Sequence, residues 1–288
     1  MTTIAIVGTG RMGTAYAKRL IEVDYDVVVW NRTLSRTVAA AEAGAKIAAD
    51  LAAVAAADTI LVSLTDAAAV EAATAELIRA GIAGKLIVDL STLLPDETRA
   101  LAEKITAAGA DFVDCPVGGT VGPALKGQLL GMAGGTDAAF ARAKPVLEQL
   151  CRRVEHLGPA GSGAQMKLAV NLPLAIYWKT LAEALTMLEG SGIAASTAVS
   201  LIADSSAGPT VLKNRAQVVV DTLNGTDQKG TFDIAGLAKD LELALRQAAL
   251  AGRRMPLSEA TRKSYAEALS AGLGGFDGAS LTRHLSDT

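Results

Sequence analysis

The feature that most constrains this chain is the stretch Ile4-Ala5-Ile6-Val7-Gly8-Thr9-Gly10-Arg11-Met12-Gly13. The apolar run from Ile4 to Val7 reads as a buried strand, and a Gly-x-Gly-x-x-Gly follows at once. Residues Arg11 to Val23 then read as a helix. Gly8 permits the tight turn out of the strand. Gly10 keeps side-chain atoms away from an approaching pyrophosphate, and Gly13 lets the helix pack close to the sheet. The helix N-terminus adds unpaired N–H groups and a partial positive charge. Alone, the motif is weak, because an ordinary glycine turn reads the same way. Set between a strand and a helix, with a second strand from Asp26 to Trp30, it points to dinucleotide binding.

The second strand ends at Trp30-Asn31-Arg32-Thr33. NAD-binding units place an Asp or Glu about 20 residues past the glycines, where it accepts hydrogen bonds from the ribose 2′-OH. Here Asn31 carries no charge to repel a 2′-phosphate, Arg32 can pair with one through its planar fork, and Thr33 can donate a hydroxyl. NADP(H) is therefore the expected cofactor. The plainer alternative for Arg32 is a solvated arginine at a strand end.

A strand–helix rhythm follows. Helices are expected at Leu51 to Ala57, Ala67 to Ala80, Pro95 to Ala108 and Asp137 to Leu150. Strands are expected at Asp58 to Leu64, Lys85 to Leu90, Asp111 to Asp114, Leu129 to Ala133 and Arg153 to Leu157. Such alternation argues an α/β fold with a doubly wound, mostly parallel Rossmann sheet, whose ligands bind beyond the carboxyl ends of the strands. Two ends stand out, Leu64-Thr65-Asp66 and Asp89-Leu90-Ser91-Thr92. Ser91 and Thr92 can reach the nicotinamide ribose or the substrate, or can simply cap the next helix. From Cys115 to Pro123 the chain is expected to form a Gly/Pro loop. Its Gly118 and Gly119 offer bare N–H groups to a carboxylate.

After Gly161-Ser162-Gly163 the pattern turns helical throughout, starting with a long apolar helix from about Ala164 to Glu189 that joins the two parts. Further helices are expected at about Ala195 to Ala203, Thr210 to Val219, Ile234 to Ala251 and Ser258 to Ala271, with a polar loop from Thr222 to Gly230. The expected domains are therefore 1–160, NADP-binding, and 161–288, all-helical. Lys167 and Asn171, four residues apart, share a helix face. A lysine among apolar groups has its pKa lowered and can pass a proton to a forming alkoxide, while Asn171 orients a hydroxyl. Capping the helix start or facing solvent is the competing reading. Pro173 removes a donor to the Ala169 carbonyl and is expected to kink the helix. Lys239-Asp240 reads first as a solvated helix face.

Composition narrows the function classes. The chain has 288 residues, 50% apolar, with net charge −3 and 3% aromatics. It lacks the basic stripe and stacking platforms that nucleic acid requires. No long charge-free apolar run suggests a membrane span, and no signal peptide is read at the N-terminus. Cys115 and Cys151 form no disulfide framework, so a reduced, cytoplasmic setting is expected. His156 and His284 have no ligand-spaced neighbours, and no metal site is expected.

These motifs together resemble the β-hydroxyacid dehydrogenase family, which includes 3-hydroxyisobutyrate dehydrogenases, tartronate semialdehyde reductases and glyoxylate/succinic semialdehyde reductases. Gly8-Thr9-Gly10-Arg11-Met12-Gly13 resembles its cofactor motif. Asp114-Cys115-Pro116-Val117-Gly118-Gly119 with Gly122 and Gly127 resembles its substrate loop. Gly161-Ser162-Gly163 with Lys167 and Asn171 resembles its catalytic motif, and Phe232 with Lys239-Asp240-Leu241 its C-terminal motif. The resemblance implies Lys167 as acid/base, assisted by Asn171. It implies a cofactor held by Gly8, Gly10, Arg11, Met12, Gly13, Asn31, Arg32, Thr33, Leu64, Thr65, Ser91, Thr92 and Lys239. A small carboxylated substrate is then bound by Ser91, Gly118, Gly119, Thr120, Lys167, Asn171, Lys239 and Asp240. The family loop commonly reads Pro-Val-Ser-Gly-Gly, so Gly118 stands in the serine position and Thr120 in that of the last glycine. Leu172 replaces a second asparagine. These departures leave the substrate open. Two other readings stand beside this one, an NADPH-dependent imine reductase on the same fold and a non-catalytic NADP-binding protein. The apolar long helix predicts a homodimer or homotetramer.

Overall fold

The structure is a computed structural model that describes residues 3 to 284. Two compact units divide between Lys167 and Leu168.

The first unit is built on the strands β1 (Thr3–Val7), β2 (Asp26–Trp30), β3 (Lys46–Ile47), β4 (Thr59–Val62), β5 (Leu86–Asp89), β6 (Asp111–Asp114), β7 (Val117–Gly118), β8 (Leu129–Gly135) and β9 (Cys151–His156). They form one sheet in the order β3-β2-β1-β4-β5-β6-β8-β7, with β9 beside β8. From β3 to β6 every pairing is parallel. β8 runs antiparallel to β6 and β7, and β9 runs parallel to β8. The chain winds outward from β1 in both directions. The switch between β1 and β4 therefore opens a crevice beyond their carboxyl ends.

Helices α1 (Arg11–Glu22), α2 (Val38–Ala41), α3 (Leu51–Val54), α4 (Ala67–Ala80), α5 (Pro95–Ala107), α6 (Val121–Leu125) and α7 (Asp137–Leu150) complete this unit. The period of two in β1 decides which residues meet which layer. Ile4 and Ile6 pack with Tyr16, Leu20 and Leu147, while Ala5 and Val7 pack with Leu77, Leu101 and Ile105. A strand covered on both faces has no polar side to show, and for that reason Ile4 to Val7 reads as continuous apolar sequence.

Helix α8 (Ser162–Thr186) begins in the first unit. The second unit adds α9 (Ala195–Asp204), α10 (Thr210–Leu223), α11 (Ile234–Leu250), α12 (Pro256–Ser270) and α13 (Leu281–His284). Its core gathers Trp178, Leu181, Leu212, Val219, Leu237, Leu241, Tyr265 and Leu281. Tyr265 also donates its hydroxyl to the Ala175 carbonyl at 2.9 Å.

The architecture is the expected one, with departures at short elements. α3 stops at Val54, not Ala57. The last strand begins two residues early, at Cys151. α10 runs on to Leu223, into the expected polar loop, and α8 ends at Thr186, short of the expected Glu189, with Pro173 inside it. The Gly/Pro stretch after Cys115 is not a plain loop but holds β7 and α6. Pairing with β8 makes β7 a strand, and two residues are too few to show any period in sequence. Among the described residues, no helix is long and apolar enough to cross a membrane, and no group of three His, Cys, Asp or Glu side chains could hold a metal ion. The side chain of His284 lies outside the described residues.

Candidate active site

The glycine loop follows β1. Gly8 adopts φ +97°, and a Cβ there would lie 2.2 Å from the Ser63 carbonyl oxygen. A Cβ on Gly13 would lie 1.9 Å from the Gly8 oxygen. Both positions exclude any side chain. Gly10, the N-cap of α1, is exposed and has open space where its Cβ would be. The loop is thus closed against the sheet at two glycines and open at the third, the arrangement needed for a pyrophosphate to approach backbone N–H groups.

Asn31 ties this loop to the end of β2. Its Oδ1 accepts the Thr9 N–H at 3.1 Å, and its Nδ2 donates to the Thr33 carbonyl at 3.0 Å. Both ends of the amide are thereby engaged with backbone, so Asn31 sets the shape of the turn. Arg32 and Thr33 are exposed beyond it. A cavity of about 350 Å3 opens here, lined by Trp30, Asn31, Arg32, Leu34, Asp50 and Glu76, among others.

At the next two strand ends, Ser91 bridges. Its Oγ accepts the Leu64 N–H at 3.1 Å, and its own N–H donates to Asp89 Oδ1 at 3.0 Å. Ser91 and Thr92 are not the cap of α5, which falls at Leu94, with Glu97 accepting the Leu94 N–H. Asp66 caps α4 by accepting the Ala69 N–H, and Thr65 donates its hydroxyl to Asp66.

Asp114, which the sequence places only at the head of the motif resembling a substrate loop, organises the start of α8. Its carboxylate accepts N–H bonds from Gly161 and Ala164, each at 2.8 Å. Burial pushes this carboxyl up, and the surrounding backbone donors pull it back. A carboxylate at a helix N-terminus meets both the orphan donors and the favourable end of the dipole. Gly163 has no room for a side chain, since its Cβ would sit 2.1 Å from the Met132 carbonyl oxygen. The available signal was a charged residue ending an apolar strand, Asp111-Phe112-Val113-Asp114.

So anchored, α8 carries Lys167 into the first unit, where it is only 8% exposed. Its Nζ donates to the Val117 carbonyl at 2.7 Å. This excludes the solvent-facing reading. In the loop beside it, Gly119 has φ +120°, and a Cβ would lie 2.7 Å from Leu129 Cδ2. Thr120 stands at the N-cap of α6, and its hydroxyl makes no capping bond.

One turn along α8, in the second unit, Asn171 is 5% exposed. Its Nδ2 donates to Asp240 Oδ2 at 2.6 Å. Asp240 is buried as deeply, and its Oδ1 lies 3.4 Å from Lys239 Nζ. The pair Lys239-Asp240 is therefore not a uniformly solvated face. Asp240 points inward and Lys239 is part-exposed.

Comparison with known proteins gives the family. Residues 3–158 match the family described as the NAD binding domain of 6-phosphogluconate dehydrogenase. Residues 161–285 match the family described as NAD-binding of NADP-dependent 3-hydroxyisobutyrate dehydrogenase. The chain is an NAD(P)-binding oxidoreductase. It belongs to the β-hydroxyacid dehydrogenase family. It is 31% identical to the 3-hydroxyisobutyrate dehydrogenase of Pseudomonas aeruginosa, over 92% of this chain and 91% of that protein. It is 29% identical to glyoxylate/succinic semialdehyde reductase 1 of Arabidopsis thaliana, over 95% of each. Among solved structures, the Mycobacterium tuberculosis 3-hydroxyisobutyrate dehydrogenase with L-serine superposes with a TM-score of 0.88 at 27% identity, over 99% of each chain.

Proposed function

We propose that this chain is an NADP(H)-dependent oxidoreductase acting on a small carboxylated aldehyde or the matching 3-hydroxy acid. The observation that carries the reading is Lys167, a buried amine held at 2.7 Å from the Val117 carbonyl, next to a bare glycine segment. A lysine placed so deeply on an anchored helix has its direction set before any substrate arrives.

Gly8, Gly10, Arg11, Met12 and Gly13 would hold the pyrophosphate, and Asn31, Arg32 and Thr33 the 2′-phosphate end. Leu64, Thr65, Ser91 and Thr92 would line the nicotinamide side, with Lys239 as a further cofactor residue that the family resemblance implies. The nicotinamide supplies or accepts the hydride. Gly118, Gly119 and Thr120 would receive the substrate carboxylate, supported by Ser91 and Asp240. In reduction Lys167 hands a proton from Nζ to the new alkoxide, and in oxidation it takes one back. Asn171 is oriented by its bond to Asp240 and positions the lysine or the hydroxyl. On this reading residues 1–160 serve the cofactor and 161–288 the substrate and self-association. A homodimer or homotetramer is the expected assembly, and a monomer mass by light scattering would reject it.

The test is NADPH and NADH oxidation at 340 nm with glyoxylate, succinic semialdehyde, tartronate semialdehyde and methylmalonate semialdehyde. Turnover with NADPH that collapses in Lys167→Ala supports the reading. NADPH binding without turnover on any of the four rejects it, and cyclic imines would be tried next.

A further inference from the structure

The amide of Asn31 can face only one way, because its two partners are of opposite kind. The Thr9 N–H needs an acceptor and takes Oδ1 at 3.1 Å. The Thr33 carbonyl needs a donor and takes Nδ2 at 3.0 Å. Turning the amide over would set donor against donor and acceptor against acceptor. Each polar atom of this half-buried side chain therefore already holds a backbone partner.

The two bonds join pieces of backbone that serve different ends of a dinucleotide. Thr9 lies between Gly8 and Gly10, is buried, and accepts the Thr14 hydroxyl on its carbonyl at 3.1 Å. Gly8 donates its N–H to the Trp30 carbonyl at 2.8 Å, so the glycine loop leaves β1 already docked on the end of β2. On the other side, the Thr33 carbonyl also accepts the Arg36 N–H at 3.0 Å, at the start of a single turn of 3-10 helix from Leu34 to Thr37. Thr37 closes that turn by donating its hydroxyl to the Leu34 carbonyl at 2.7 Å. Arg32 lies in between, in the ring that the Asn31 amide closes, and is exposed at the rim of the cavity past β2. An arginine loses rotamer freedom when it grips a ligand, and a backbone fixed beneath it lowers that cost.

We infer that, on the NADP(H) reading above, Asn31 is a positioning residue for cofactor choice: it ties the pyrophosphate loop to the turn that presents Arg32, and selects the 2′-phosphate through Arg32 instead of touching it. An aspartate cannot make the same tie. It has no donor, so the Thr33 carbonyl would face a carboxylate oxygen where Nδ2 now stands at 3.0 Å, and the turn would open. The acid that accepts a ribose 2′-OH in NAD-binding units therefore cannot be installed at this position by one substitution.

The experiment measures Kd for NADPH and NADH by nicotinamide fluorescence. It uses the purified full chain, Asn31→Ala, Arg32→Ala, the double variant and Asn31→Asp, with thermal unfolding in the absence of cofactor to show that each is folded. Asn31→Ala is expected to weaken NADPH about tenfold more than NADH, the worth of one charge-assisted contact. On the Arg32→Ala background the same substitution is expected to weaken both cofactors by a common factor, because the side chain it positions is gone. Asn31→Asp is expected to leave NADH no tighter than in the unaltered chain, and it carries the test if Asn31→Ala does not fold. Additive losses of NADPH affinity in the double variant overturn the tie, since Asn31 then meets the phosphate itself. Tighter NADH in Asn31→Asp overturns it as well. An unaltered chain that binds NADPH no tighter than NADH overturns the NADP(H) reading, whereas a preference for NADPH kept in full through Asn31→Ala overturns the tie alone.

Discussion

Ala164 donates its backbone N–H to Asp114 Oδ2 at 2.8 Å, and Lys167 follows one turn later on the same helix. The carboxylate at the end of β6 thus sets where the lysine of α8 stands. In Asp114→Asn, an amide nitrogen replaces one acceptor and opposes a buried N–H. A loss of about 1–3 kcal/mol is expected from leaving that donor unpaired. Urea unfolding measures it, and an unchanged midpoint would show that Asp114 does not anchor the helix.

Lys167→Ala removes the proton donor and keeps the cofactor loop intact. A fall in kcat of about 10²–10⁴-fold is expected, the range of general acid–base contributions. NADPH affinity should change little, because the glycine loop and the Arg32 cavity are separate from the lysine. Stopped-flow turnover with fluorescence titration separates the two effects. A variant with full kcat would remove Lys167 from the mechanism.

Arg32→Ala addresses cofactor choice. Arg32 is exposed at the rim of the cavity past β2, where Asn31 and not an acidic residue directly follows Trp30. KM for NADPH is expected to rise by about tenfold or more, since a charge-assisted contact is lost, with KM for NADH nearly unaffected. An equal effect on both cofactors would mean that Arg32 does not read the 2′-phosphate.

Asp240→Asn replaces a charged acceptor with a neutral one at the 2.6 Å contact to Asn171. Hydrogen bonds to charged groups contribute about 1.5–3 kcal/mol. If that bond aims Asn171, kcat falls by about tenfold while KM moves less. Loss of thermal stability with kcat unchanged would reduce Asp240 to a structural role.

Cys115 and Cys151 are free thiols in the core of the first unit. Burial pushes the Cys151 thiol up to about 12 and the Cys115 thiol well above its ordinary value. Only the thiolate reacts, so the labelling rate in the native protein should keep climbing about tenfold per pH unit from pH 8 to 10. An ordinary thiol levels off near its pKa of about 8.5. A plateau near pH 9 would contradict the burial of both sulfurs.

The sequence by itself determined what local pattern can encode. Ile4 to Val7 announced a strand covered on both faces, and the three glycines announced a turn, a bare approach and a close packing. The spacing of Lys167 and Asn171 announced a shared helix face. Each of these depends on neighbours within a few residues, so period and residue type carry it. The tertiary structure decided the partners. Lys167 meets a carbonyl 50 residues away, Asn171 a carboxylate 69 away, and Gly161 a carboxylate 47 away. Such contacts follow from strand order and helix docking, which leave no period to read in the chain. The same holds for β7, a strand only because β8 pairs with it.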